Sequence, residues 1–268
     1  MKIKEVRVSK SGVIPIASYA NLRPGFEVVA ELEKGETMEE CFEKLQDIIN
    51  TQFAIEENKA LIRKIEKLYK NIRFHEKNGK KYPSVTSIMG WDTEWSIPAY
   101  ELNQYASRGT IIDRLFQLFI SEGKWFNPQE LIYLKKDVNT LLSGNLGLHW
   151  QNCSHIKFME KYGELLGKPL EIQKVVFNEE LNYAGTPDIV GPFSDLKSII
   201  DVKTGGYDFA QLAAYAACLE GIKQLVIFPV GPTNNISGYT KPVIRLDWQD
   251  DWQRFLEMRK RFRENFGI

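Results

Sequence analysis

The sequence predicts an α/β or α+β protein in which helices flank a central mixed sheet, preceded by a small N-terminal αβ appendage. Three observations support this fold class. Short apolar strand patterns cluster between residues 171 and 230, and amphipathic helix patterns stand on both sides of them. Residues 1–70 carry strands and helices of their own. Clustered strands must bury their apolar faces under helices, which gives a layered core, and 268 residues are enough to build one.

The appendage is predicted to contain strands followed by two helices. Lys2–Val8 and Phe26–Leu32 have strand-like patterns. A first helix is expected from Thr37, because Thr37 as N-cap and Glu40 three residues later form a capping-box pattern. A second amphipathic helix is expected over Glu56–Tyr69. No motif in this part indicates a chemistry, so we assign it only a role in guiding a substrate or docking a protein partner.

The main domain, residues 71–268, is predicted to begin with a hairpin, since Asn78-Gly79 is a preferred turn between two strand-like segments. After the hairpin, the apolar residues recur first at helical spacing and then at strand spacing, and the last part of the chain alternates between the two. The expected elements are helices over 97–121, 128–143 and 148–166, strands over Glu171–Phe177, Tyr183–Val190 and Ser198–Lys203, a helix over Phe209–Leu219, strands over Gln224–Val230 and near Pro242–Leu246, and a helix over Trp248–Asn265.

Composition excludes some classes of protein. Lysine plus arginine (35) equals aspartate plus glutamate (35), so net charge neither favours nor excludes a nucleic-acid partner. The three cysteines are too few for the four thiolates of an iron–sulfur cluster, and their odd number and wide spacing argue against a disulfide framework. No apolar signal core or membrane-spanning run is present. We therefore expect a cytoplasmic protein, in a bacterium or in the host cell of a virus, with no membrane contact.

Charged side chains stand at the ends of the predicted core strands. Alternate residues of a strand share a face, so Asp201 and Lys203 point the same way while Val202 points into the opposite layer. Asp188 ends the neighbouring strand, within reach of the same place. Converging carboxylates suit Mg²⁺ or Mn²⁺, which acidify a bound water and neutralise charge on a phosphate, and a nearby lysine can orient that water. The residue types fit metal-assisted phosphodiester hydrolysis.

The order of these residues is more specific than any one of them, since an Asp-x-Lys pair alone is more often an exposed ion pair and Gly185–Asp188 alone could be only a turn. The ordered series is Tyr82–Ile88, Arg108–Asp113, Glu171, Gly185–Asp188, Asp201–Lys203 and Gln211–Tyr215. This series resembles the PD-(D/E)XK nucleases, most closely the RecB-like exonuclease branch of the phage or repair type without an iron–sulfur cluster. The resemblance implies a restriction-endonuclease-like core.

The resemblance also implies a set of metal ligands and a catalytic lysine. The ligands would be Asp188, Asp201 and the main-chain carbonyl of Val202, with Glu171 as a further ligand, direct or through water. Lys203 would position the attacking water. The implied cofactor is Mg²⁺ or Mn²⁺.

Further residues would contact DNA. Gln211 and Tyr215 would hold the DNA backbone or brace the site, and Arg108 would contact DNA. One position departs from the family pattern, because Asp113 stands where many RecB-like nucleases have a metal-associated histidine. Aspartate also ligates Mg²⁺ and Mn²⁺, so Asp113 is either a further metal ligand or part of a simple helix start with Thr110 near the cap.

The expected function is a metal-dependent DNA exonuclease that acts on DNA ends or single strands in recombination, repair or viral DNA processing. Two alternatives stay open. One is a structure-specific or CRISPR-adaptation-like endonuclease. The other is a non-catalytic DNA-binding protein on a nuclease fold, for which the departure at Asp113 is the best support.

Overall fold

The computed structural model of the chain describes residues 5–17, 20–93, 99–125, 154–230 and 239–268. The helices are Met38–Leu68 (α1), Val85–Gly90 (α2), Ala99–Glu122 (α3), Ser154–Tyr162 (α4), Phe209–Ala216 (α5) and Gln249–Phe266 (α6). The strands are Glu5–Ser11 (β1), Ile14–Ala17 (β2), Ala20–Leu22 (β3), Gly25–Glu31 (β4), Phe74–Lys77 (β5), Lys80–Pro83 (β6), Glu171–Ile172 (β7), Val176–Asn178 (β8), Tyr183–Gly185 (β9), Ile189–Phe193 (β10), Leu196–Lys203 (β11), Gln224–Pro229 (β12) and Val243–Arg245 (β13).

A mixed five-stranded sheet lies at the centre, with the strand order β13-β12-β11-β10-β7. β11 and β12 are parallel, and the other neighbours are antiparallel. The parallel pair needs a crossover connection, and α5 lies in that connection. The chain is therefore a mixed α/β protein with a central mixed sheet flanked by helices, as the sequence predicted.

Helices cover the sheet on both faces because its strands are apolar on both faces. Ile199 belongs to the apolar cluster that includes residues of α2, α5, α6 and the second half of α1. Ile200, the next residue of β11, belongs to the cluster that includes residues of α3 and α4, such as Phe116 and Phe158. Successive strand residues point to opposite faces, so one buried strand holds both layers together.

A single helix, α1, replaces the two that were expected in the appendage. It runs for 31 residues, and the predicted capping box is present at its start, between Thr37 and Glu40. No glycine or proline occurs between Met38 and Leu68, so nothing in the sequence interrupts the helix. Its first half packs on β1 and β4 through residues such as Leu45, while its second half joins the main core.

The predicted strands over 171–177 and 183–190 are each divided in two. β7 pairs with β10 in the central sheet, while β8 and β9 form a separate hairpin. The divisions fall at Gln173, whose φ of 50° is left-handed, and at Pro187, which has no N–H to give to a ladder. Asp188 consequently lies directly before β10 and does not end a strand, which corrects the expected placement.

The remaining elements differ little from expectation. Asn78 and Gly79, with φ of 52° and 76°, form the predicted turn between β5 and β6. The hairpin of β2 and β3 was not predicted. The predicted helix over 128–143 lies outside the described residues, as do residues 148–153 of the next. Within the described ranges, no helix combines the length and the apolar character that a membrane crossing requires.

Candidate functional site

The ends of two antiparallel strands bring two aspartates together. β10 and β11 pair Ile189 with Ile200, and the same register continued by one residue sets Asp188 beside Asp201. There the ladder ends, and the Asp188 side chain replaces it: Oδ2 accepts a hydrogen bond of 2.8 Å from the Val202 amide. Since the N–H and C=O of one strand residue point to the same side, the Val202 carbonyl also faces Asp188.

Lys203 lies on the same face as Asp201, as strand alternation predicted. Its ammonium Nζ lies 2.5 Å from Asp201 Oδ2, and Asp201 is only 2% exposed. Val202 packs into the opposite layer. The pair is therefore a largely buried ion pair and not the exposed one that an Asp-x-Lys sequence usually forms.

Two residues of α5 hold the lysine in place. Lys203 Nζ donates to Gln211 Oε1 at 3.2 Å, and Gln211 Nε2 donates to the Tyr215 hydroxyl at 2.9 Å. Gln211 and Tyr215 are one helical turn apart and so share a face of α5. Tyr215 is 2% exposed, so of the two roles that the resemblance implied, this geometry favours bracing the site over contacting DNA.

α3 contributes a third aspartate to the cluster. Asp113 Oδ2 accepts hydrogen bonds from Gln117 at 2.7 Å and from Gln173 at 3.4 Å. Its other oxygen, Oδ1, is buried and has no hydrogen-bond partner within the described part of the chain. α3 begins at Ala99, so Asp113 lies well inside it, and the interpretation of this segment as a helix start is wrong.

Gln173 lies between two of the aspartates, and the sequence did not predict it as a site residue. Its side-chain amide donates to Asp188 Oδ1 at 3.2 Å as well as to Asp113, and its main-chain N–H donates to the Asp188 carbonyl at 3.0 Å. A left-handed φ is unfavourable for a residue with a Cβ, and these bonds hold Gln173 there. Its only sequence signal was a polar side chain two residues after Glu171.

Glu171 is not brought into the cluster. Its carboxylate accepts two hydrogen bonds from Lys174, at 2.8 and 2.9 Å, and its side chain is 51% exposed. Because Gln173 has a left-handed φ, the side chains of Glu171 and Gln173 point in different directions. The expected contribution of Glu171 to metal binding therefore has no support in this geometry, and Gln173 occupies the place beside Asp188.

Burial and mutual repulsion make the carboxylates hard to ionise together. Burial, followed by the charge of the nearby Asp201, raises the pKa of Asp113 to about 6. Burial, followed by the charges of Asp201 and Asp113, holds the pKa of Asp188 well above its usual range. Burial lowers the pKa of Lys203, but the carboxylates, with Asp201 first, outweigh it and raise that pKa overall. The cluster has more negative charge than Lys203 neutralises.

The oxygen atoms of this cluster suit a hard divalent cation, although they are not already arranged around one point. Over the described residues, no three acidic, histidine or cysteine side chains converge closely enough to be a preformed metal centre, because Gln173 separates Asp113 from Asp188 and Asp201 is turned to Lys203. Asp113 Oδ1, which has no hydrogen-bond partner in the described part of the chain, is an oxygen that a cation could use as a ligand. Carboxylate and carbonyl oxygens suit Mg²⁺ or Mn²⁺.

An open cavity of about 950 Å³ gives access to this cluster. Its lining residues are Arg73, Tyr105, Ala106, Arg108, Gly109, Thr110, Asp113, Asp188, Val202, Lys203, Thr204, Gly205 and Gly206. Arg108 is 8% exposed, and its Nη2 donates to the Thr204 carbonyl at 2.6 Å. It therefore ties α3 to the loop after Lys203 and presents little of its charge to a ligand.

Comparison with known proteins adds no relative. A scan against models of protein families finds no match to the chain, and a search among curated proteins finds none either.

Proposed function

We propose that this chain is a metal-dependent deoxyribonuclease that hydrolyses phosphodiester bonds, acting as an exonuclease on DNA ends or single strands in recombination, repair or viral DNA processing in the cytoplasm. The observation that carries the proposal is that Asp113, Asp188 and Lys203 line one open cavity, with Lys203 paired to the buried Asp201. The PD-(D/E)XK resemblance of the sequence, which implies a core of the restriction-endonuclease type, supports the same conclusion.

The carboxylates would hold the cation. Asp188, Asp201 and the Val202 carbonyl meet at the ends of adjacent strands, and the unpaired oxygen of Asp113 is available beside them. When bound, Mg²⁺ or Mn²⁺ supplies a water of lowered pKa and neutralises charge that develops on the phosphate. Gln173 donates hydrogen bonds to Asp113 Oδ2 and Asp188 Oδ1, and bonds of this kind orient carboxylates that ligate a metal.

Lys203 would act on the phosphate and the attacking water as a fixed cation. The carboxylates raise its pKa, so it stays protonated at neutral pH and donates hydrogen bonds but does not accept a proton. Its side chain is 23% exposed and lines the cavity. Asp201 and Gln211 hold the ammonium in one position, and a preorganised charge of this kind is the largest contribution that many active sites make.

The position of Asp113 favours an enzyme over a non-catalytic DNA-binding protein. The departure at this residue was the best support for loss of activity. Its carboxylate nevertheless shares Gln173 with Asp188 and takes part in the same electrostatic cluster. A protein that only held DNA would gain nothing from burying three carboxylates where a phosphate must approach.

Cleavage assays with matched variants test the proposal. Purified protein should degrade end-labelled linear DNA in Mg²⁺ or Mn²⁺ and be inactive in chelator. Asp201→Ala and Lys203→Ala should abolish cutting, whereas Glu171→Ala and Lys174→Ala, which remove acidic and basic groups outside the cluster, should cut like the wild type. Cutting by Asp201→Ala at the wild-type rate would refute the site.

Closed circular DNA separates the exonuclease from the endonuclease. An exonuclease leaves circles intact while it degrades the same sequence after linearisation. Degradation of circles would establish the endonuclease alternative and leave the metal site unaffected.

A further inference from the structure

An exposed aromatic ring lines the cavity beside the acidic cluster. Tyr105 is 45% exposed and forms part of the cavity wall. The guanidinium carbon of Arg108 lies 5.1 Å from the centre of its ring, a distance at which a cation and an aromatic face attract each other. Tyr100 lies on the same helix and is 64% exposed, but it is not among the lining residues of the cavity. Of these two exposed tyrosines, Tyr105 is the one that lines the cavity.

An arginine with a fixed main chain faces the same cavity. The Arg73 amide donates to Ser87 Oγ at 2.8 Å, and its carbonyl accepts from the Ser84 amide at 2.9 Å. Its guanidinium donates to Thr86 Oγ1 at 3.2 Å and, among the residues that the structure describes, makes no salt bridge to a carboxylate. Arg73 thus brings an unneutralised positive charge to a cavity whose floor is acidic.

We propose that Tyr105 and Arg73 bind one unpaired DNA strand in this cavity, with the Tyr105 ring stacked on a base and Arg73 on a backbone phosphate. This inference rests on the proposed function, because the phosphodiester between them is the one presented to Lys203. Aromatic rings bind unpaired bases of any sequence by stacking, and cations track the backbone. A base inside a duplex is already stacked, and extracting it costs free energy, so Tyr105 selects single strands.

Binding measured without turnover tests the role of Tyr105. Fluorescence anisotropy in chelator compares a labelled single-stranded oligonucleotide with a blunt duplex of the same sequence. Tyr105→Ala should weaken single-strand binding by about 5- to 150-fold and leave duplex binding unchanged, while Tyr105→Trp retains it. Tyr100→Ala is the matched control and should bind like the wild type. Thermal unfolding confirms that each variant is folded.

The salt dependence of binding tests Arg73 separately. Loss of one phosphate contact to a single strand lowers the slope of log K against log salt concentration by about 0.7. Arg73→Ala should show this reduction, whereas Tyr105→Ala should weaken binding with the slope unchanged. Arg63→Ala removes an exposed arginine of α1 outside the cavity lining and should alter neither quantity.

Distinct outcomes refute the inference and the proposed function. The inference is overturned, even for a protein that cuts DNA, if Tyr105→Ala binds the single strand as tightly as the wild type does. It is also overturned if Tyr105→Ala weakens duplex binding as much as single-strand binding, or if the wild type binds no single strand. Loss of single-strand binding on Tyr105→Ala, in a protein that cuts no DNA under any metal condition, overturns the nuclease proposal and leaves the strand-binding site standing.

Discussion

Replacing Asp113 with asparagine is expected to stabilise the protein at alkaline pH when no divalent metal is present. The pKa of Asp113 rises from 3.8 to about 6, because the carboxyl is buried and lies near Asp201. At about 1.4 kcal/mol for each pKa unit, keeping Asp113 ionised in the folded protein costs about 3 kcal/mol. Asparagine removes the charge and keeps an oxygen that can accept the hydrogen bond from Gln117.

The direction of the pKa shift of Asp113 determines the pH range in which the substitution changes stability. The folded pKa of Asp113 is above the unfolded one, so the folded state holds the proton longer and stability falls as pH rises from about 4 to about 6. Asp113→Asn should therefore unfold like the wild type near pH 4. At pH 8 we expect a gain of about 2–3 kcal/mol, which raises Tm by about 4–10 °C for a chain of this size.

Thermal unfolding in chelator at both pH values measures this effect. Asp47→Asn, at an exposed position of α1, is the matched control and should change little at either pH. Added Mn²⁺ should stabilise the wild type more than Asp113→Asn, and the variant should lose cutting. A variant less stable than the wild type at pH 8 in chelator would refute the repulsion on which the metal-site argument depends.

Three further substitutions have defined outcomes. Lys203→Arg keeps the charge but not the compact ammonium, so the protein should fold and its cutting rate should fall by about 100-fold, measured on end-labelled DNA. Gln173→Glu replaces the bridging amide with a further carboxylate and should lower the free energy of unfolding in chelator at pH 8 by about 1–3 kcal/mol; Mn²⁺ should reverse this, and a variant as stable as the wild type would contradict the bridging role. Gly185→Ala would place a Cβ against the buried Tyr215 ring, nearest to Cε1 and 2.8 Å from Cδ1, and should cost about 1–3 kcal/mol in denaturant unfolding. Gly90→Ala, with nothing within 4 Å of the new Cβ, should not lower stability in this way.

Strand alternation and chain order were enough to anticipate the centre of the candidate site. Asp201 and Lys203 share a face because they are two residues apart on β11, and Asp188 lies beside them because β10 and β11 form a hairpin. These are local relations, so a sequence can report them. The clustering of the strand patterns, with helical patterns on both sides of them in the sequence, likewise predicted a mixed sheet flanked by helices.

Relations that depend on irregular backbone were not predictable in the same way. Nothing in the sequence around Gln173 requires a left-handed residue, and without that turn Glu171 is the natural candidate for a ligand. The contribution of Asp113 depends on how α3 packs against the central sheet, which is a long-range contact. The prediction of two helices where the structure has only α1 was an error of another kind. The absence of glycine and proline between Met38 and Leu68 already favoured one helix.

Locating a bound cation tests the central claim most directly. Crystals of the protein soaked in Mn²⁺ and measured for anomalous scattering should show a manganese peak in contact with oxygens of Asp188 and Asp201, and no peak there in crystals of Asp188→Asn. Folded wild-type protein with manganese bound only elsewhere, or with none at saturating concentration, would contradict the account.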